Sequence, residues 1–143
     1  MSVVEKAVAV LKENLGNDVL DVVIFRDQTS VVLERSMIVQ ACELLRDSAS
    51  LQFNFLAALT AVDYWPDEPR FKIVYQLYSL PNKVFVGLNV PVPGEDPTID
   101  TVESIFPNAN WHERELFDMF GIAIKGHSDL RRIIMPHDWQ GHP

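Results

Sequence analysis

A histidine followed at once by a glutamate, with a second histidine four residues on, holds zinc on one face of a helix and sets a general base beside it. His112-Glu113-Arg114-Glu115 opens that arrangement, but Leu116 stands where the second ligand is needed. The zinc-helix reading fails on its own spacing. His127, His137 and His142, with Asp129 or Asp138, are metal-ligating types, yet their spacing matches no standard site. Glu113 and Glu115 are two residues apart, about 200° around a helix, so they do not make a carboxylate pair for acid–base work. What remains in the stretch is ionic, with Arg114 and Asp118 four apart on one helical face. A solvated charged face is the plain reading and an ion-pair patch between subunits the sharper one.

Other chemistry is missing from the sequence. There is no GxGxxG, GxxxxGK[ST] or GxSxG run, so phosphate cradles and nucleophile elbows have no support. One cysteine, Cys42, can form neither an intrachain disulfide nor a thiolate cage for an iron–sulfur cluster, and its helix-like setting makes it core filler. Trp65, Trp111 and Trp139 suit packing or interface anchoring better than cofactor stacking. The catalytic reading left over is a metal- or carboxylate-dependent hydrolase using His112, Glu115, Asp118 and His127. Docking is favoured over it, because exposed charge and an apolar tail are equipment for gripping another chain.

The elements that must position these residues follow from periodicity. Ser2 and Glu5 have capping-box spacing, and Val4, Ala7, Val8, Leu11 and Leu15 share a helical face until Gly16-Asn17. Val19 to Phe25 and Thr29 to Glu34 are β-rich runs around Arg26-Asp27-Gln28, predicting a hairpin. Ser36 is expected to cap a helix that turns Met37, Ala41, Leu44 and Leu45 inward. Residues 53–58 read as a short helix and 59–63 as a strand. Two prolines make 64–70 a loop, and Phe71, Ile73, Tyr75 and Leu77 alternate as a strand that pairs with Val84 to Val90. A helix is expected over about 98–106. Another is expected from an Asn110/Glu113 capping box to Gly121.

Helices and hairpins in blocks predict an α+β fold: two layers, a mostly antiparallel sheet with helices on one face, and an extended C-terminal arm. The expected division is 1–121 for the domain and 122–143 for the arm, where Ile133, Ile134, Met135 and Trp139 are too apolar for a free tail. At 143 residues with a net charge of −8, one domain suffices, and binding to nucleic-acid phosphate or an anionic membrane surface is disfavoured. No signal peptide and no apolar run of membrane-spanning length is present. A reducing compartment is expected.

The run from Glu113 to Ile134 resembles the signature of the NuoC-type (30 kDa subunit) family of respiratory complex I, NADH:quinone oxidoreductase. Glu113, Arg114, Glu115, Asp118, Met119, Phe120, His127, Arg131, Ile133 and Ile134 fill its pattern in register. The similarity extends through Ala61 to Tyr64, Phe71 to Tyr75, Pro107 to Trp111 and Met135 to Pro143. Two departures stand out: Ser128 where the family usually has proline, and Ala123-Ile124 in place of a more aromatic pair. Relatives also continue past Gly141-His142-Pro143, which implies a shortened end.

The resemblance implies a non-catalytic structural subunit of the peripheral arm that helps assemble the quinone-reducing module. It implies partners in the D and B subunits of complex I, with no nucleic acid and no membrane span. Its place would be the cytoplasmic side of the cell membrane, held through those partners. It implies no cofactor in this chain, with NADH, flavin, iron–sulfur clusters and quinone on partner subunits. The interface residues it suggests are Glu113, Arg114, Glu115, Asp118, His127, Arg131, Arg132 and Trp139. A related ferredoxin- or F420-dependent membrane dehydrogenase or hydrogenase is the alternative machine.

Overall fold

The computed structural model of the protein describes residues 1–128. Helix α1 (Val3–Leu15) starts with the reciprocal cap its spacing predicts. The Ser2 hydroxyl accepts from the Glu5 N–H at 3.1 Å and the Glu5 carboxylate accepts from the Ser2 N–H at 3.2 Å. Its buried stripe is Ala7, Leu11 and Leu15, and Gly16 at φ +55° ends it. Strands β1 (Val19–Phe25) and β2 (Gln28–Leu33) form the expected hairpin.

The next helix corrects the sequence reading at its start. A 3-10 turn over Arg35–Met37 feeds α2 (Ile38–Asp47), so the capping position falls on Met37, which has no side-chain oxygen, and Ser36 caps nothing. Ile38, Ala41, Cys42 and Leu45 are buried on α2, while Met37 and Leu44 are only half-buried. Burial pushes the Cys42 thiol up, which suits a packing residue and not a nucleophile.

Residues 53–58 are not helical. Strand β3 (Phe55–Asp63) pairs antiparallel with β4 (Phe71–Ser79), and Leu51 and Phe53 plug into the core just before it. A register shift between Leu56 and Ala58 breaks the period of two, which is why the sequence showed no clean alternation there. β4 itself alternates as predicted, with Phe71, Ile73, Tyr75 and Leu77 buried. Strand β5 (Val84–Val92) runs through Pro91, which lies beyond Asn89, the last residue paired with β2. The ladder on that side has already ended, so the missing N–H is tolerated.

The main sheet has the order β1-β2-β5-β4-β3, antiparallel at every join except the parallel β2–β5 pair. Burial on alternate residues marks one covered face, against which α1 and α3 pack. The predicted α+β layering is therefore observed, with one parallel join in the sheet. Tyr75 stands at the centre of the core, its hydroxyl buried without a partner among the described residues, and burial pushes it well above the usual tyrosine range.

The expected helix over 98–106 is also absent. Thr98–Asp100 is strand β6, paired in parallel with β7 (Ala123–Lys125), and turns follow in which the Ile105 and Phe106 N–H groups both donate to the Val102 carbonyl. Thr98, Ile99, Thr101 and Val102 are β-branched, and Pro107 leaves little room for a helix. Helix α3 (Ala109–Phe120) connects β6 to β7 and lies against β3, ending at Gly121 in the left-handed conformation, φ +73°. Ile122 and Ile124, at the start of the segment expected as an arm, are buried in the core.

Candidate functional site

The charged run begins on α3, and its first residue does not face a surface. Glu113 is fully buried. Its carboxylate accepts from the Thr101 hydroxyl and, at 2.9 Å, from the Val102 N–H, bracing the turn that follows β6. Burial pushes this carboxyl above the ordinary glutamate range, against the lowering effect of those two hydrogen bonds. The capping box expected from Asn110 and Glu113 is therefore not formed. Asn108 occupies the cap position and sends its amide to the Leu56 carbonyl at 2.8 Å, tying α3 to β3.

Asn110 is used by a second carboxylate, Glu103. The Glu103 Oε2 accepts from Asn110 Nδ2 at 2.7 Å and from Ser128 Oγ at 3.1 Å, while its Oε1 accepts from the Ser128 N–H at 2.8 Å. His127 Nε2 donates to the Asn110 carbonyl at 3.0 Å. Thr101 links the two carboxylates, since its hydroxyl donates to Glu113 and its Oγ1 accepts from the Glu103 N–H. Partial burial pushes Glu103 up, but the combined bonds from Asn110 and Ser128, with the nearby His127, hold it below the usual range. A chain of polar contacts thus runs from the buried Glu113 to Ser128. It does structural work, and no group of three or more His, Cys, Asp or Glu side chains that would hold a metal is found among the described residues.

The other predicted residues are placed as follows. Arg114 is half-buried and lies over the Trp111 indole, 5.6 Å from the ring centroid, with its buried Nε unpartnered among the described residues. Trp111 is 50% exposed, so this cation–aromatic pair is presented outward. His112 and Glu115 are half-buried. Asp118, expected to face Arg114 in a surface patch, is instead fully buried. Glu113 and Asp118 are thus corrections: both point inward, because α3 turns residues 109, 113, 116 and 118 towards the domain. Arg131, Arg132 and Trp139 lie outside the described residues.

Sequence reasoning missed Glu103. Its partners are seven and 25 residues away, so no local spacing signals it. It also missed the open face of the main sheet. Phe55, Val62 and Phe85 are exposed there, Tyr64 and Trp65 extend it, and Lys72 is the one charged side chain on the open-face rows of β4 and β5. Arg70 stiffens that rim, with a two-pronged bond to Asp63 at 2.9 Å and its guanidinium over Trp65 and Phe71.

Comparison with known proteins agrees with this architecture. The family described as respiratory-chain NADH dehydrogenase, 30 Kd subunit, matches residues 31–143. A Geobacter sulfurreducens protein named as the C subunit of NADH-quinone oxidoreductase is 46% identical over 139 residues, spanning 96% of this chain and 85% of that one. One of the same name from a Roseiflexus species is 44% identical over 133 residues, spanning 93% and 76%. Among solved structures, the trypsin-resistant fragment of Nqo5 superposes with a TM-score of 0.68 at 34% identity, covering 90% of this chain and 96% of that one. A chain of an archaeal membrane-bound sulfane sulfur reductase shares the fold, with a TM-score of 0.71 at 21% identity, covering 94% and 76%.

Proposed function

We infer the role of this chain from one premise: it belongs to the family of the 30 kDa subunit of respiratory-chain NADH dehydrogenase. It is a subunit of NADH-quinone oxidoreductase, and its contribution is structural. The observation that carries this reading is 46% identity to a C subunit over nearly the whole chain, joined to a site whose carboxylates are spent on internal bonds. Glu113 and Glu103 hold turns together through bonds to Thr101, Val102, Asn110 and Ser128.

We propose that the chain docks through the Trp111–Arg114 pair, Glu115, His127 and the residues Arg131, Arg132 and Trp139 that follow. Aromatic and arginine side chains are the usual anchors of interface energy, and the planar fork of arginine suits carboxylates and carbonyls. The partners in this proposal are the D and B subunits of complex I, on the cytoplasmic side of the membrane. Among the described residues no helix is long and apolar enough to cross a membrane, so attachment would come through those partners. The sulfane sulfur reductase chain shows that the fold also serves another membrane-bound respiratory complex, but identity favours the quinone-linked machine.

Two outcomes test the proposal. Arg131→Ala combined with Arg132→Ala is expected to lower recovery of the D subunit, co-expressed with this chain, by at least several-fold while leaving the chain's circular dichroism unchanged. Equal recovery would remove those arginines from the interface. We also propose that redox groups reside on the partners, because one buried cysteine cannot ligate a cluster. The purified chain is expected to be colourless and inactive with NADH, and stoichiometric flavin or cluster absorbance would contradict this.

A further inference from the structure

Ser128 is the last described residue, and it is held by more bonds than an exposed residue in a loop requires. Its N–H and its hydroxyl both donate to the same carboxylate, Glu103, at 2.8 and 3.1 Å. The neighbouring His127 ring is bound to the Asn110 carbonyl at 3.0 Å, and the Asn110 amide reaches both Glu103 and Ser128. Two successive residues are therefore fixed through backbone and side chain to the first turn of α3 and to the turn after β6. A carboxylate accepting three bonds, two from one residue, fixes orientation as well as position.

The support beneath Glu103 is rigid. Its own N–H is held by Thr101, Thr101 is held by the buried Glu113, and the Thr101 N–H donates to the Lys125 carbonyl at 2.9 Å. The same carboxylate in a mobile loop would only move with Ser128. Here it is braced from α3, from β7 and from the turn between β6 and α3.

We propose that Glu103 is a positioning residue that latches His127-Ser128 to α3 and so fixes the chain in place as far as Ser128. For its consequence the proposal rests on the docking reading above. His127 is one of the residues proposed to dock, and a docking residue already held in place loses less freedom on binding than one in a loose loop, so the latch would favour capture of the partner. The charged groups facing Glu103 are Glu113 and His127, and both belong to the same network.

The test uses the full chain and two independent readouts. In amide-resolved NMR from pH 7 down to about pH 3, the Ser128 N–H is expected to shift as Glu103 takes up its proton, at a pH below the ordinary glutamate value. In Glu103→Gln that titration disappears and Ser128 amide exchange quickens at least tenfold, while the Tyr75 amide in the core keeps its protection. A Ser128 amide that ignores pH, or titrates unchanged in Glu103→Gln, overturns the latch.

Glu103→Ala provides a second variant, since alanine removes every acceptor and leaves the Ser128 N–H and hydroxyl in place. With the co-expressed D subunit as the probe, Glu103→Gln and Glu103→Ala are each expected to recover several-fold less partner than the wild-type chain. Recovery equal to wild type overturns the proposed consequence. If the wild-type chain itself captures no D subunit, the docking reading fails and, with it, the consequence drawn for the latch, while the amide titration still decides whether the latch exists.

Discussion

Replacing Phe53 with alanine is expected to cost about 3–5 kcal/mol of folding stability, read as a lowered urea midpoint with unchanged slope. The ring is fully buried between the end of α2 and the start of β3. Its backbone N–H donates to the Leu45 carbonyl at 2.9 Å, so the residue is pinned where α2 hands over to the sheet. Leu45 on α2, Leu51 in the following turn and Leu56 on β3 are fully buried in the same core, and side chains held by different parts of the chain have little freedom to collapse into the space. Phe53→Leu, which keeps most of the volume, should cost much less. A loss below about 1 kcal/mol for the alanine variant would mean that the core repacks around the site.

The Glu113→Ala variant is expected to lose about 2–3 kcal/mol, because it strands the buried Val102 N–H and the Thr101 hydroxyl. Glu113→Gln retains an acceptor for Val102 and should be milder. The two also separate packing from charge. The folded-state pKa of Glu113 lies above its ordinary value of 4.5, so the folded chain holds this proton more tightly than the unfolded chain does. The associated stability is fully present below pH 4.5 and is lost as pH rises through the folded-state value. Unfolding curves collected from pH 4.5 upward should show the wild-type chain falling relative to Glu113→Gln, by no more than about 1.4 kcal/mol per pH unit for one proton. Parallel pH profiles would show that Glu113 does not titrate as a buried carboxyl. Glu103 acts with the opposite sign: its carboxyl is held below the ordinary range, and its contribution is lost as pH falls through that lower value.

These two residues also show where sequence patterns stop being sufficient. Glu113 was recognisable as part of a family signature, and its spacing from Asn110 fitted a capping box. The spacing was satisfied, but the bond was not made, because Thr101 and Val102 offer buried donors that nothing near residue 113 in the sequence reveals. Around Phe53 the sequence lacks the alternation that marks a strand, because a register shift two residues into β3 breaks the period. Ser36 failed as a cap because the chain first makes a 3-10 turn that moves the helix start to Met37. For Glu113 a contact made in three dimensions displaced a local preference worth only about 1 kcal/mol.

By itself the sequence determined what local chemistry can specify: the Ser2–Glu5 cap of α1, the β1–β2 hairpin, the alternation of β4, the stop at Gly121 and the family. Each depends on residues within a few positions of one another, or on a pattern long enough to exceed chance. Only the tertiary structure decided that β2 and β5 lie parallel, that 98–100 pairs with 123–125, and that Glu113 and Asp118 turn inward while Trp111 and Arg114 face out. Those outcomes depend on which distant groups remain to be covered or hydrogen-bonded once the core has closed, and separation along the chain carries no record of that.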